Sequence, residues 1–149
     1  MTNAKNQVPE LPCMCASFRR TARALTQVYD EALRSLGLRT TQFTILQALS
    51  LAGEVSQGQL GEILALDSTT LTRTLAIMRR RKWIETRRGS DGRERLLSLS
   101  EAGRAQLDRA SPSWQGVQDR LQSQFGDERW GELFQQNREM TAAAKGGSL

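Results

Sequence analysis

SQGQLGEILALDSTTLTRTLAIMRR, Ser56 to Arg80, decides the fold, because it reads as two helices meeting across a turn of about three residues. Ser56 and Gln59 have the Ser-x-x-Gln spacing of a capping box, in which each side chain satisfies the other's free backbone amide. The short helix so opened carries Leu60, Ile63 and Leu64. Asp67 and Ser68 then offer a second N-cap. At about 100° per residue the second helix places Leu71, Leu75 and Met78 on a face to be buried. Thr69, Arg73, Ala76 and Arg80 fall opposite, with Thr70 and Thr72 on the flanks. A single Thr or Arg on a surface helix most often only meets water. A whole face that is small, hydroxylated and basic instead suits a DNA major groove: short side chains permit close approach, and an arginine can fork onto a guanine edge.

Towards the C-terminus the charge continues. After Arg79-Arg80-Arg81-Lys82, the residues Ile84 to Arg87 and Arg95 to Leu99 read as two strands, with Ser90-Asp91-Gly92 as the turn of a hairpin. Arg87, Arg88, Arg93 and Arg95 gather around this tip. A hairpin directly after a recognition helix can reach along the duplex, so these arginines are expected to meet phosphates, and Arg93 the narrow minor groove. Asp91, two residues before Arg93, is expected to hold that guanidinium in a bidentate pair.

Towards the N-terminus, Cys15, Phe18, Ala22, Leu25, Tyr29, Ala32 or Leu33 and Leu36 recur at three- and four-residue steps, a long first helix stopped by Gly37. Thr40-Thr41 is the expected cap of a second helix with Phe43, Leu46 and Leu49, ending near Gly53. Beyond the hairpin, Ser100 caps a helix striped by Leu107, Ala110, Trp114, Val117, Leu121 and Phe125, which Pro112 is expected to interrupt and kink. Asp127 opens a last helix with Trp130, Leu133, Phe134 and Met140. The fold class is therefore mainly α with a small β-hairpin wing: a winged helix-turn-helix with helical extensions on both sides.

Composition agrees. At 149 residues the chain is one domain by length, with 38% hydrophobic and 25% charged residues. Its formal charge of +5, clustered on the recognition helix and hairpin, points to a polyanionic partner. No apolar run approaches the roughly 20 residues of a membrane span. Nor does the N-terminus carry the apolar core of a signal peptide, so a cytoplasmic location is expected. The absence of histidine removes the commonest general base and metal ligand, which counts against an enzyme. Cys13 and Cys15 are the two thiols, and on one helix they would point about 200° apart, unable to bridge easily. Neither a cofactor nor a metal is called for; a thiolate site built from these cysteines would lack any supporting His. A non-specific architectural protein is disfavoured because base-reading and phosphate-clamping residues lie on different elements.

From about Cys13 to Met140 the sequence resembles the MarR family of bacterial transcription regulators. The resemblance is carried by Asp91-x-Arg93 followed by Leu99-Ser100-Glu101-Ala102-Gly103, by Leu66 to Ile84, and by Gly37-Leu38 with Gln42-Phe43. One departure is Lys82, where the family usually closes the recognition helix with glycine; a left-handed Lys or a different helix end is required. The resemblance implies a homodimer that binds a double-stranded, inverted-repeat operator; repression is expected, because occluding a promoter needs no contact with polymerase. Residues 1–12 would be a disordered arm, 13–145 a single domain and 146–149 a frayed tail; within the domain, dimerisation helices at 13–36 and 101–145 flank a winged helix-turn-helix at 40–100. DNA contacts are expected from Ser68, Thr69, Thr70, Thr72, Arg73, Arg80, Arg88, Asp91, Arg93 and Arg95.

Family members are released from DNA by a small aromatic or other anionic effector bound between the dimer helices and the DNA-binding lobe, or by oxidation of a cysteine in the first helix. Phe18, Tyr29 and Phe43 are the candidate pocket residues here. In the organic-hydroperoxide branch the sensing cysteine aligns with Cys15, with Cys13 beside it, and one tyrosine that contacts it aligns with Tyr29. These lie about 21 Å apart along one helix, so such a contact would cross the dimer. Two further tyrosines of that branch are replaced by Arg19 and Thr40. Cys15 also continues the apolar stripe, which suits a small buried hydrophobe.

Overall fold

The computed structural model describes residues 9 and 11–146. Most of the expected N-terminal arm (residues 1–8 and 10) and of the tail (147–149) lies outside the described residues. Six helices and a small sheet follow in the order α1 (Met14–Leu33), α2 (Thr40–Ala52), β1 (Val55–Ser56), α3 (Gln57–Leu64), α4 (Ser68–Arg80), β2 (Ile84–Arg88), β3 (Arg95–Leu99), α5 (Glu101–Phe125) and α6 (Asp127–Ala144).

α1 tightens into a 3-10 turn over Arg34–Leu36, and Gly37 ends it in the left-handed region at φ 69°. Only Leu33 of α1 is buried; Phe18 and Leu25 on its stripe, and Met14 beside it, remain exposed. Cys15 is likewise exposed rather than buried, because among the described residues nothing covers this end of the stripe.

The cap of α2 also differs from expectation. Arg39 holds the extended N-cap conformation and Thr40 is the first helical residue. Thr40 does not cap; its amide and its hydroxyl both donate to Oδ1 of Asp30, each at 2.7 Å. A carboxylate from the preceding helix thus satisfies the free amide of Thr40, the first of the new helix, and takes up the hydroxyl that a threonine cap would have turned to the amides further on. α2 buries Phe43, Ile45, Leu46, Ala48 and Leu49 and is therefore the central helix of the domain. Around it the core gathers Leu33, Leu60, Leu71, Leu75, Met78 and Leu97, each no more than 1% exposed. Burying a side chain of this size contributes about 1.5–3 kcal/mol.

α3 opens on the expected capping box, Ser56 Oγ accepting from the Gln59 amide at 3.2 Å and Gln59 Oε1 from the Ser56 amide at 2.9 Å. α4 opens on Asp67, whose carboxylate accepts the Thr70 amide at 2.8 Å. The antiparallel sheet has the order β1-β3-β2. Its register pairs Ile84 with Leu99 and Arg88 with Arg95 across the hairpin, and Val55 with Leu97 on the far side. β1 was not foreseen, since two residues carry no periodicity.

Ser100 caps α5 as expected, accepting the Gly103 amide at 2.9 Å. Pro112 does not end α5: it forfeits the one bond to the Asp108 carbonyl and the helix continues to Phe125. α5 lies against α1, with Gln118 donating to the Tyr29 hydroxyl at 2.7 Å, and against the core, with Trp114 5.8 Å from Phe43. α6 buries none of its residues, although Phe125, Trp130 and Phe134 stack in series near its start. Among the described residues no helix is long and apolar enough to cross a membrane.

Candidate nucleic-acid interface

α4 divides as its sequence requires. Leu71, Leu75 and Met78 are buried, while Ser68, Thr69, Thr72, Arg73, Ala76 and Arg80 are exposed. Three hydroxyls on this helix have partners already, among them that of Thr74, which donates to the Thr70 carbonyl at 2.9 Å. Thr70 donates its hydroxyl to Asp67 at 2.6 Å, completing the cap, and Thr72 accepts from Gln57 of α3 at 2.9 Å. The bonds from Thr70 lower the Asp67 carboxyl below its ordinary value, so the cap stays ionised. Ser68, Thr69, Arg73 and Arg80 have no side-chain hydrogen bond among the described residues.

Two non-glycine residues adopt the left-handed region here, Ala65 as the C-cap of α3 and Lys82 just beyond α4. Lys82 has φ 59° and Ala65 φ 50°. At Lys82 the Trp83 amide bonds the Met78 carbonyl at 3.0 Å and the Lys82 amide bonds the Arg79 carbonyl at 2.9 Å, the paired bonds of a Schellman cap. The missing glycine therefore does not change the helix end; Lys82 adopts the conformation glycine would have. Trp83, 7% exposed, anchors the exit into β2.

In the wing, the Gly92 amide bonds the Gly89 carbonyl at 3.0 Å and Gly89 bonds Glu94 at 2.8 Å, closing the tip. Asp91 does not pair with the Arg93 guanidinium. Its carboxylate accepts the Arg93 backbone amide at 3.1 Å, because in a tight turn a side chain two residues back reaches that amide first. Arg87, expected at a phosphate, is turned inward: its Nε and Nη2 bond both oxygens of Glu54, in the loop before β1. Glu54 was missed by sequence reading, since it lies 33 positions away with no local signal. Arg88, Arg93 and Arg95 form no ion pair among the described residues and are exposed.

The expected effector residues are not brought together. Phe43 is in the core at 1% exposure, Tyr29 is half-buried against Gln118, and Phe18 is exposed on α1. Burial of Tyr29 raises its hydroxyl above the ordinary value, keeping it protonated. A cleft of about 600 Å³ opens instead between the α1–α2 connection and the end of α4. Asp30, Arg34, Arg39 and Arg81 line it, with Leu38 and Ile77 as apolar walls. Arg39 pairs with Asp30 at 3.1 Å and Arg34 with Glu31, whereas Arg81 lies 5.2 Å from the Trp83 ring centroid and has no carboxylate partner among the described residues.

Cys13 is the N-cap of α1, with extended backbone at φ −135°, so it precedes the helix. The separation expected of two cysteines on one helix does not apply to it. Both thiols are free and exposed.

The chain is similar to known proteins. Residues 36–94 match a family model described as MarR family. The transcriptional regulator MosR of M. tuberculosis, solved in complex with DNA, is 37% identical, with 90% of this chain and 97% of that one covered and a TM-score of 0.81. The HTH-type transcriptional regulator YwoH of Bacillus subtilis is 26% identical over 111 residues, 74% of this chain and 81% of that protein. A variant of E. coli MarR complexed with operator DNA shares the fold, at a TM-score of 0.77 and 19% identity over 85% of this chain and 92% of that one. With a helix-turn-helix, a basic wing and this likeness to solved regulators, the chain belongs to the MarR family of winged helix-turn-helix transcription regulators, which are not enzymes.

Proposed function

We propose that two copies of the chain bind an inverted-repeat DNA operator and repress transcription until an anionic organic molecule releases them. The observation that carries this reading is the set of uncommitted arginines: Arg73 and Arg80 on α4, and Arg88, Arg93 and Arg95 on the wing, none in an ion pair among the described residues. Arg73, flanked by Thr69 and Thr72, reads a base edge; the wing arginines neutralise phosphate or enter the minor groove. A second copy is supported by apolar side chains left exposed on the outer helices, among them Met14, Phe18 and Leu25 of α1 and Leu133, Phe134 and Met140 of α6. A two-fold dimer presents its recognition helices about one duplex turn apart, so the operator is palindromic. Repression follows from occlusion of a promoter, which needs no contact with polymerase.

The cleft is the effector site on this reading. Arg81 offers a charge without a carboxylate partner, and Leu38 and Ile77 offer apolar walls, which together suit an aromatic carboxylate. Mobility shifts with a palindromic duplex from the chain's own upstream region, against a scrambled duplex, test the first half. Equal binding to both would sink it. Benzoate, titrated against the complex and against Arg81→Ala, tests the second; release from both proteins alike would move the effector elsewhere.

A second reading is supported by the exposure of both thiols at the start of α1. Here oxidation of Cys15 by an organic hydroperoxide releases DNA, and Cys15→Ser stays bound. If treated and untreated proteins bind alike, the thiols have no sensory part.

A further inference from the structure

The Arg87–Glu54 pair has no part in the reading above. Arg87 lies on β2, the outer strand of the β1-β3-β2 sheet, and pairs with Leu96 of β3, which pairs on its other side with Ser56 of β1. Residues directly opposite share a face, so Arg87, Leu96 and Ser56 lie on the face away from the buried Val55 and Leu97. Glu54 flanks β1, two strand spacings or about 9–10 Å from β2, and the Arg87 and Glu54 side chains together bridge the face of β3 that lies between. Arg87 grips both carboxylate oxygens, and its remaining terminal nitrogen donates to the Arg88 carbonyl at 3.3 Å. Among the described residues, no side chain from Arg88 to Arg95 bonds anything outside the hairpin. Beyond Ile84 every residue of β2 is exposed, so packing does not hold this end of the strand. Beyond the residues of β3 that pair with β1 the hairpin is two-stranded, and an unpacked two-stranded tip is at best marginally stable.

We propose that Glu54 is a positioning residue for DNA binding: through Arg87 it straps the wing to the α2–β1 loop and sets the direction of Arg88, Arg93 and Arg95, without touching DNA itself. The proposal rests on the DNA-binding reading for its consequence, but the strap itself belongs to the free protein. The bidentate geometry matters, because a fork-to-fork pair fixes orientation where a single point charge would not. It also explains why one of four wing arginines is spent inward: it aims the other three.

The test uses the full chain with Glu54→Gln, Arg87→Ala, the double variant and the charge exchange Glu54→Arg with Arg87→Glu, each first shown to melt like the parent. Backbone amide exchange is followed at residues 85–95 of the free protein, and duplex binding is measured over a range of salt. Each single variant is expected to speed hairpin exchange and weaken binding by roughly 3- to 10-fold, with the salt slope unchanged because no phosphate contact is lost. The double variant should be no worse than either single one, and the exchanged pair should regain most of the loss. Tighter binding by Glu54→Gln with a steeper slope would overturn the proposal, showing that Glu54 masks a phosphate contact. A slope about one unit shallower in Arg87→Ala would overturn it as well, making Arg87 a phosphate ligand. Unchanged exchange and affinity would reduce the pair to an ordinary surface ion pair. Should the parent fail to bind the duplex, the DNA reading falls while the exchange data still decide the strap.

Discussion

Replacing Gly103 with alanine should unhinge the wing from α5. A Cβ at this position would sit 1.9 Å from the Trp83 carbonyl oxygen, 2.8 Å from its carbon and 3.2 Å from its Cα. These are backbone atoms, so no rotamer change relieves the overlap. To reach an ordinary contact near 3.4 Å the two segments must part by about 1.5 Å. That movement pulls on the Ser100 amide bonded to the Trp83 carbonyl at 3.1 Å and the Ser100 hydroxyl bonded to the Lys82 carbonyl at 2.6 Å. Forcing an extra methyl into packed surroundings costs roughly 1–3 kcal/mol, and a disrupted backbone bond about 1 more. For a chain of this size a total of about 2–4 kcal/mol lowers Tm by roughly 5–15 °C. Calorimetry at one fixed protein concentration measures it, since a dimer's Tm shifts with concentration. Gly116→Ala is the internal control: on the same helix, with no neighbouring heavy atom within 4 Å, it should stabilise by roughly 0.5–1 kcal/mol. If Gly103→Ala melts with the parent, the approach of α5 to Trp83 is not close and the reasoning fails.

Lys82→Gly should raise Tm, because removing the Cβ from a residue at φ 59° relieves about 1 kcal/mol of left-handed strain; a lower Tm would show that the lysine stem packs to better effect. Arg73→Ala should relax base preference at one position of each half-site by about 1–3 kcal/mol, and a uniform loss across sequences would make Arg73 a backbone contact. Arg93→Ala should reduce the salt slope by about one unit, and an unchanged slope would take the wing tip off the phosphates. At Asp30, burial raises the carboxyl, but the amide and hydroxyl of Thr40 and the guanidinium of Arg39 more than offset it, leaving it below the ordinary 3.8. Its contribution is thus complete above pH 3.8 and is lost as pH falls through the lower folded value. The stability difference between the parent and Asp30→Ala should close on acidification in that range, and curves that stay parallel would refute the assignment.

Legibility in the sequence followed the range of each interaction. The caps at Ser56, Asp67 and Ser100 came out as read, because their partners lie three residues on. The buried face of α4 did too, since a 3.6-residue period needs no knowledge of the rest of the chain. Thr40 is the first helical residue rather than the cap, because Asp30 of the previous helix accepts both its amide and the hydroxyl that would have done the capping. Asp91 and Arg93 were read as a side-chain pair, and the turn brought a nearer donor, the backbone amide. Arg87 was read as free because its partner in the loop before β1 becomes visible only once β1 has joined the sheet. Cys15, Phe18 and Leu25 follow a helical period that predicts burial, but a period says that a face is covered, not by which chain.

The same distinction bears on how a signal could reach the operator. The left-handed turn at Lys82 bonds the last turn of α4 to the start of the wing, the Trp83 amide donating to the Met78 carbonyl at 3.0 Å. That last turn contributes Ile77 and Arg81 to the cleft, and Arg81 reaches towards the carbonyl of Gly37, at 3.5 Å. Opposite stand Asp30 and Arg39, which join α1 to α2, and Gln106 of α5 bonds the Leu36 carbonyl at 2.8 Å behind them. On the proposed reading, α1 and α6 meet the second copy, and α1, with α5 packed against it, sets the spacing of the two recognition helices. A carboxylate that draws Arg81 away from Gly37 therefore loosens the lobe against the very helices that fix that spacing. Occupancy alone would change nothing: the effector must bind the misaligned arrangement more tightly than the aligned one, about 1.4 kcal/mol for each tenfold loss of operator affinity. By the same linkage operator DNA must weaken effector binding by an equal factor, so one titration performed in both directions decides whether the cleft and the interface are coupled at all.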